Sequence, residues 1–354
     1  MSQKVFVGLS GGVDSSVSAA LLVEQGYDVT GVYMKNWSRD LPGMKCPWAE
    51  DLADAKRVAV RLGIDLKVFD FESEYKHKVV DYMVAEYQAG RTPNPDVMCN
   101  QEIKFKLFYE VAREQGADFI ATGHYAQAQG GQLLKAVDED KDQTYFLYRV
   151  SKEALRYTLF PVGGLHKPEV RELARKFGLV TASKKESMGV CFVGNVGIRE
   201  FLSEYVEPKL GDIVDEATGK VVGQHDGAIF YTIGQRHGLS VGGGLPYYVT
   251  RKDMSKNVVF ITTNLNDGNL WVKELKLQDI FTRYDLAKTT GTYLARVRHR
   301  APLVKASLVL QDTTLQERSL QAVVKFEDEQ RAVASGQSVV FYDGEVCFGG
   351  GVVV

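Results

Sequence analysis

The chain has 354 residues with a formal net charge of −2 at pH 7, and 25% of its residues are charged. This length exceeds what one hydrophobic core usually organises, so two or three domains are expected, and the balanced charge excludes a globally basic nucleic-acid binder. No apolar run is long enough to cross a membrane. The four cysteines are widely spaced and include no Cys-x-x-Cys pair, which argues against a zinc ribbon and against a secreted disulfide framework. A cytoplasmic protein with reduced thiols is therefore expected.

The first half of the chain alternates strand and helix patterns. Short apolar runs predict the strands, and apolar residues at helical spacing predict the helices between them. The predicted strands are 5–9, 29–34, 66–71 and 119–122, and the predicted helices are 17–24, 49–62, 75–87, 103–115, 169–177 and 198–205. This alternation predicts an α/β fold, a parallel sheet with helices on both faces, whose ligands bind at the carboxyl ends of the strands.

The pattern changes after Pro208. Short β-like runs broken by glycines fill 211–262, and alternating runs such as 305–310 and 337–342 continue to the end. We predict three domains: an α/β domain at 1–207, a small β-rich connector domain at 208–270, and a C-terminal β-barrel at 271–354, with a sandwich as the alternative to the barrel.

The segment Ser10–Ser16 joins the first predicted strand to the first predicted helix. Gly11 and Gly12 allow the backbone to approach a ligand closely, and the helix N-terminus attracts an anion. The segment lacks the lysine of a Walker A loop and the glycine spacing of the dinucleotide fingerprint. An ordinary capped turn is the alternative. The sequence therefore predicts a phosphate site of another type.

Two further residues are expected at the same sheet edge. Met34 ends the second predicted strand, and Gly123 follows the fourth. An adenine pocket near Met34 is one interpretation, and a core methionine is the other.

The segment Thr92–Asn100 contains two prolines, which predict a rigid extended loop before a helix that starts near Gln101. Cys99 lies just before that helix, and a helix N-terminus favours the nucleophilic thiolate. Asp96, three residues earlier, is a candidate acid or base. The alternative is a capped turn with a buried cysteine.

A second cysteine stands in an unusual setting. Cys191 is bracketed by two glycines in the segment 181–197, which is predicted to be a mobile loop. Such a loop suits a sulfur carrier that must move, whereas a strand through 190–193 is the alternative. Cys46 and Cys347 are expected to be structural.

Seven segments together resemble the tRNA-specific 2-thiouridylases. In chain order they are SGGVDSS from Ser10, CPWAEDLADA from Cys46, PNPDVMCN from Pro93, ATGHYA from Ala121, KDQTYFLY from Lys141, GVCFVG from Gly189 and TIGQRHGL from Thr232. The first is similar to the PP-loop of ATP pyrophosphatases. Seven segments in the family order are more specific than any single motif, and they cover the first two predicted domains better than the last.

The resemblance implies that 1–207 is a PP-loop domain of the adenine nucleotide alpha hydrolase type and that 271–354 binds tRNA. It implies ATP-dependent 2-thiolation of the wobble uridine: adenylation of uridine O2 with release of pyrophosphate, then sulfur transfer from a cysteine persulfide with release of AMP. ATP and Mg²⁺ are the expected cofactors, with no metal ion held by protein side chains alone. The expected partners are tRNA (Lys, Glu and Gln isoacceptors) and a sulfur relay or cysteine desulfurase protein, with no membrane.

The resemblance also implies roles for individual residues. Cys191 carries the persulfide, Cys99 attacks it and forms a disulfide with Cys191, and Asp96 is the general acid or base. The expected ATP-binding residues are Gly8, Leu9, Ser10, Gly11, Gly12, Val13, Asp14, Ser15, Met34 and Gly123. The expected tRNA contacts are Asn94, Pro95, Asp96, His124, Asp142, Gln143, Thr144, Arg298, His299 and Gln337.

The residues themselves add one basic cluster, 296–300. On a strand, Arg296, Arg298 and Arg300 would share one face and contact phosphates, although a solvated face is the alternative. Two other functions stay open. An amide-forming PP-loop ligase needs an ammonia source and has no use for two placed cysteines, and a non-catalytic RNA-binding protein has no use for an intact SGGVDSS loop.

Overall fold

The structure is a computed structural model, and it describes residues 2–40, 46–185, 197–239, 241–242, 244–285, 288–311 and 320–354. The chain divides into two compact units. The first unit comprises Met1–Val80, Pro95–Val196 and Tyr342–Phe348, and the second comprises Asp81–Asn94, Gly197–Phe341 and Gly349–Val354.

The helices within the described residues are short apart from three. The α-helices are α1 (Val13–Glu24), α2 (Trp48–Leu62), α3 (Glu72–Tyr75), α4 (Asp81–Gln88), α5 (Pro95–Met98), α6 (Phe108–Glu114), α7 (Thr144–Leu147), α8 (Lys152–Arg156), α9 (Lys167–Lys176) and α10 (Ile198–Leu202). The other helical segments are the π-helices Lys76–Val80 and Cys99–Leu107 and the 3₁₀ turns Ala228–Phe230 and Gly268–Leu270.

The strands fall into a parallel set and two largely antiparallel sets. In chain order they are β1 (Lys4–Gly8), β2 (Asp28–Lys35), β3 (Asp65–Asp70), β4 (Phe119–Ala121), β5 (Gln127–Gln129), β6 (Gln132–Leu134), β7 (Thr158–Leu159), β8 (Gly211–Asp215), β9 (Val221–His225), β10 (Tyr248–Asp253), β11 (Val258–Thr262), β12 (Trp271–Thr282), β13 (Gly291–Arg296), β14 (Val304–Gln311), β15 (Gln321–Arg331), β16 (Ser338–Asp343) and β17 (Val346–Val353).

The first unit contains a five-stranded sheet in the order β3-β2-β1-β4-β7. All four strand pairs are parallel, with Val5 opposite both Val29 and Phe119. β1 is central and its apolar residues are fully buried, as expected for a strand that is covered on both faces. The predicted parallel sheet is therefore confirmed, and the carboxyl end of β1 leads directly into α1.

Two of the predicted helices have an unexpected form. The predicted helix 75–87 is divided among the end of α3, a π-helix and α4, and the predicted helix 103–115 consists of a π-helix followed by α6. Over so few residues, the spacing of apolar residues in the sequence is nearly the same for an α-helix and a π-helix, so it does not predict which of the two forms. Because α5 runs straight into the second π-helix, the helical chain already begins at Pro95.

The second unit consists mainly of strands. Its four-stranded sheet has the order β10-β11-β8-β9 and packs around buried Ile213, Val249 and Val259. The last six strands follow the order β12-β15-β14-β13-β16-β17, and β17 pairs back onto β12 with Leu277 opposite Val353. This pairing closes the sheet, so the prediction of a C-terminal barrel is confirmed.

In the part of the chain that the structure describes, no helix combines the length and the apolar character that crossing a bilayer requires.

Candidate active site

The loop between β1 and α1 has a conformation that only glycine adopts easily. Gly11 has a φ of +74°, in the left-handed region. A Cβ at this position would lie 2.5 Å from the carbonyl oxygen of Asp51 in the first turn of α2. Both the backbone conformation and the space therefore require glycine here, and the loop is pressed against α2.

The hydroxyl groups of the loop fix its shape. Ser15 and Ser16 donate to the carbonyl of Gly12 at 3.1 and 2.7 Å, and Ser15 Oγ accepts from the N–H of Ser10 at 3.2 Å. The N-cap of α1 is Gly12, so no N-cap side chain occupies the first N–H groups of the helix. This end of α1 has the form of an anion site.

Asp14 in the first turn of α1 is paired with a lysine. Lys167 Nζ lies 2.6 Å and 2.8 Å from the two carboxylate oxygens of Asp14, and Tyr125 donates to the same carboxylate at 3.0 Å. The Lys167 side chain is only 11% exposed, whereas that of Asp14 is 29% exposed. The lysine also lies 5.4 Å from the centre of the Tyr125 ring. The first turn of α1 therefore carries a nearly buried cation beside its acidic residue.

Lys167 was not predicted as a site residue. It is the first residue of α9, where His166 and Glu169 form a capping box and Asp138 accepts from the Lys167 N–H at 2.9 Å. The sequence signals a helix start here, but it gives no sign of a partner 153 positions earlier.

The other expected nucleotide residues converge on the same edge. A Cβ on Gly123 would lie 2.5 Å from the backbone nitrogen of Ser15, and a Cβ on Gly8 would lie 2.9 Å from the methyl group of Met34. Met34 is partly exposed at the end of β2, whereas Leu9 and Val13 are buried core residues that position the loop. The structure thus brings together the loop, Met34 and Gly123, as the strand order predicts.

The segment around Cys99 differs from the prediction. Asp96 lies in α5 and Cys99 begins a π-helix, so the predicted extended loop with a helix starting near Gln101 is wrong. The two prolines instead precede and begin the helix, since proline is tolerated in a first turn. Cys99 is 1% exposed and Asp96 is partly exposed. Next to Cys99, Asn100 is buried and donates to the carbonyl of Phe146 at 3.1 Å.

His124 follows Gly123 and lies among aromatic rings of the first unit. Its Nδ1 is 2.8 Å from Thr122 Oγ1, and its ring centre is 5.6 Å from that of Phe105 in the second π-helix. Burial, with a smaller contribution from the charge of Lys104, holds the pKa of His124 well below its usual range. The imidazole is therefore neutral at pH 7.

Two of the three residues at 142–144 are interior. Asp142 is buried and accepts from the N–H of Ala136 at 3.2 Å and from the hydroxyl of Thr144 at 2.8 Å. Thr144 is fully buried, 3.2 Å from Tyr342 Oη. Gln143 is partly exposed, with its side chain accepting from the Tyr125 N–H at 2.8 Å. Of the three, only Gln143 presents surface to a partner.

Comparison with known proteins identifies the family. Three family models match in succession: the tRNA methyl transferase HUP domain over residues 3–195, the tRNA methyl transferase PRC-barrel domain over 199–263, and the aminomethyltransferase beta-barrel domain over 272–353. The tRNA-specific 2-thiouridylase MnmA of Listeria innocua serovar 6a is 47% identical over 356 residues, which cover 99% of this chain and 94% of that protein. The chain belongs to the tRNA-specific 2-thiouridylase family.

Two other similarities accompany this match. The 2-thiouridylase of Pseudomonas putida (strain GB-1) is 47% identical over 360 residues, covering 99% of this chain and 94% of the relative. Among solved structures, a 4-thiouridine synthetase–RNA complex with bound ATP is similar over 57% of this chain and 50% of that one, with 20% identity and a TM-score of 0.38. The family resemblance predicted from the seven segments is confirmed.

Of the two cysteines implied by the 2-thiouridylase resemblance, Cys191 lies outside the described residues, as does the alternative strand at 190–193. The chain just before it is anchored. Lys184 Nζ lies 2.8 Å from Asp51 and 2.6 Å from Asp54 of α2, and Arg171 donates to the carbonyl of Lys184 at 2.7 Å. Although burial opposes it, hydrogen bonds to both carboxylates raise the pKa of Lys184.

The other two cysteines have structural settings. Cys46 Sγ lies 3.7 Å from the carbonyl of Trp37, and burial raises the pKa of its thiol. Cys347 lies in β17, fully buried, with its Sγ 3.7 Å from the carbonyl of Thr144. Among the described residues no group of three or more His, Cys, Asp or Glu side chains is arranged to hold a metal ion.

In the second unit, the basic cluster does not form the predicted strand face. β13 ends at Arg296, and 297–303 form the hairpin loop before β14, with Arg300 at a φ of +62°. Pro302 lacks the N–H that would extend the ladder through this loop. Arg298 is exposed and donates to the carbonyl of Arg331 at 3.2 Å.

The remaining expected contacts of the second unit are less exposed than Arg298. Burial, with the charges of Arg300 and Arg296, lowers the pKa of His299 to about 4, so its ring is neutral at pH 7. Gln337 is partly exposed, and its side chain accepts from the Ala334 N–H at 3.4 Å. Asn94 is also partly exposed and belongs to this unit, while the next residue, Pro95, is buried and belongs to the first.

Proposed function

We propose that the chain is an ATP-dependent tRNA-uridine 2-sulfurtransferase that makes 2-thiouridine at the wobble position. The observation that carries this proposal is the phosphate-type loop at the N-terminus of α1, with Asp14 paired to Lys167 at its edge. The relatives named 2-thiouridylases, which match nearly the whole chain, support the choice of reaction.

The residues of the loop fit a nucleotide. Gly11 and Gly12 give a backbone without side chains at the start of α1, and the helix N–H groups and dipole favour phosphate there. Lys167 adds a positive charge held close to Asp14. Met34, partly exposed at the adjoining strand end, is the candidate adenine contact, and Asp14 is the candidate for contact with Mg²⁺.

ATP supplies an adenylyl group that converts the O2 of uridine, a poor leaving group, into a good one, and Mg²⁺ offsets phosphate charge. The chain positions the reacting base. Asn94, Pro95 and Asp96 would contact a uridine taken out of its stack, because chemistry at C2 requires access to the base edge. Asp96, partly exposed in the first turn of α5, is the candidate general acid or base.

Sulfur transfer is assigned to the two cysteines. Cys191 accepts sulfur as a persulfide from a relay or desulfurase protein, and the terminal sulfur would attack C2 as AMP leaves with the former O2. Cys99 would then attack the Cys191 sulfur, which releases the thiolated base and leaves a Cys99–Cys191 disulfide that a reductant must open. Gln143 and His124 in the first unit, and Arg298 with Gln337 in the second, are candidate tRNA contacts. Lys, Glu and Gln isoacceptors are the proposed substrates, and the cytoplasm is the proposed compartment.

The test is formation of 2-thiouridine by purified protein given tRNA, ATP, Mg²⁺ and a persulfide donor. Cys191→Ser should release pyrophosphate but make no thiolated tRNA, and Cys99→Ser should carry persulfide on Cys191 without completing turnover. Cys347→Ser is the matched control, because its buried setting predicts only a stability loss of about 1 kcal/mol. Mass spectrometry of the loaded protein locates the persulfide. Full thiolation by Cys191→Ser, or persulfide on Cys347, contradicts the assignment.

A further inference from the structure

A tightly held turn in the second unit has no role in the reaction described above. It lies within the segment TIGQRHGL, residues 232–239. Gly234, at a φ of +82°, donates its N–H to the carbonyl of Val249 at 2.7 Å, and Val249 donates to the carbonyl of Gln235 at 3.0 Å. These reciprocal bonds fix the turn to β10 like a further strand pair.

Side chains complete this fixation. Gln235 accepts from the N–H of Thr232 at 3.0 Å and donates to the carbonyl of His237 at 2.9 Å. Tyr231 donates to the carbonyl of Gly238 at 3.3 Å. The turn thus satisfies many of its own polar groups internally and holds its backbone in one conformation.

Two side chains of the turn take no part in this network. Arg236 and His237 are exposed, and within the described residues neither side chain makes a hydrogen bond or ion pair. Both line a cavity of about 340 Å³, together with Leu245, Pro246 and Tyr247. Leu245 is 67% exposed. The hydrogen-bonded backbone here presents a guanidinium and an imidazole to a cavity whose accessible lining is mainly polar, with Leu245, Pro246 and Tyr247 on its wall.

We propose that this cavity binds one unpaired nucleotide of the tRNA, other than the uridine that reacts. Arg236 would hold the phosphate, because a planar guanidinium donates two parallel hydrogen bonds to it. The base would lie against Leu245 and Tyr247, because bases outside a helix are recognised by stacking on aromatic and apolar side chains. The proposal deepens the proposed function and rests on it, since tRNA is the ligand.

The chemistry of the cavity favours a nucleotide over a protein partner. A volume of about 340 Å³ is at the lower end of the range for small-molecule pockets, so the open cavity has room for a single unit of a polymer. A phosphate needs a cation that is not already paired, and Arg236 provides one at the rim of the cavity. An acidic protein surface would need the charge but not the cavity.

The experiment measures binding of an unmodified tRNA transcript to the full chain by fluorescence anisotropy at several salt concentrations. Arg236→Ala should weaken binding about tenfold and lower the slope of log K against log salt by about one, because the variant neutralises one phosphate fewer. Lys220→Ala is the matched control: it removes an exposed lysine elsewhere in the same sheet region and should change neither quantity. Thermal melts check that both variants fold like the parent.

A second variant tests the base contact. Leu245→Ser should weaken binding about threefold without changing the salt slope, because it removes apolar surface and no charge. In thiolation assays both variants should raise the KM for tRNA and keep kcat at saturating tRNA. Unchanged tRNA affinity and slope in Arg236→Ala would overturn the proposal, as would a defect confined to transfer from the sulfur donor protein. If the parent chain makes no 2-thiouridine, the proposed function fails instead. The tRNA-binding measurements alone then show whether the cavity binds a nucleotide.

Discussion

The ion pair between Asp14 and Lys167 gives a sharp test of the phosphate site. Lys167 Nζ lies within 2.8 Å of both carboxylate oxygens, and its side chain is almost buried. A fully buried pair loses about 3–5 kcal/mol when one partner is removed, and an exposed pair about 0–1 kcal/mol. Because Asp14 is 29% exposed, we expect an intermediate value. Lys167→Met should lower the free energy of unfolding of the first unit by about 2 kcal/mol.

A double-mutant cycle separates the pair from the rest of the site. Asp14→Asn and Lys167→Met singly should each destabilise, and the double variant should lose less than their sum, with a coupling of about 1.5–2 kcal/mol. Two tryptophans lie in the first unit and one, Trp271, lies in the second. Urea unfolding followed by fluorescence in a Trp271→Phe background therefore reports the first unit in all four proteins.

The same variants test catalysis. Lys167→Met should lower pyrophosphate release in the presence of ATP and tRNA at least tenfold, because it removes a positive charge beside the phosphate loop. Lys167→Arg is the control for charge, and it should retain more activity than Lys167→Met if charge matters most. A coupling below about 0.5 kcal/mol, or normal pyrophosphate release by Lys167→Met, would refute the reasoning.

Two other predictions concern the second unit. The double variant Arg298→Ala, Arg300→Ala should weaken tRNA binding, and the slope of log K against log salt should fall by about one for each phosphate that is no longer neutralised. Filter binding at several salt concentrations measures both quantities. An unchanged slope would show that these arginines only face solvent. Burial lowers the pKa of Lys252 from 10.5 to about 8, so between these pH values the unfolded chain binds more protons than the folded chain. The free energy of unfolding should therefore rise with pH in this window, by up to about 3 kcal/mol relative to Lys252→Met. Urea titrations that give parallel pH profiles for the parent and Lys252→Met would contradict this prediction.

Much of the fold follows from local patterns. The central strands are runs of apolar residues because they are buried on both faces, and α2 begins one residue before the predicted helix and ends with it at Leu62. The π-helix that begins at Cys99 was not predictable, because its apolar spacing resembles that of an α-helix. The strand predicted through the arginines failed for a different reason: the chain turns after Arg296, and alternation of residue types does not show where a hairpin bends.

The candidate site was predictable where it follows a contiguous motif. The residues of the loop and Met34 lie at the ends of consecutive parallel strands, so topology alone brings them together. Lys167 was not predictable in this way, because its ion pair with Asp14 joins residues 153 positions apart through the start of a different helix. Burial has a similar limit: Asp142 and Thr144 look like a polar turn in the sequence, although the structure places both in the interior.

Gly11 and Gly123 are required in the structure for a reason that differs from the one that the sequence motif suggests. The sequence suggests that Gly11 lets the backbone approach a phosphate. In the structure a side chain at Gly11 would instead strike the carbonyl of Asp51, and one at Gly123 would strike the backbone of Ser15. Both glycines therefore let other parts of the same unit pack against the start of α1. Asp51, whose backbone lies against Gly11, also binds Lys184 through its side chain. The loop between β1 and α1 and the Lys184 side chain thus both contact the first turns of α2.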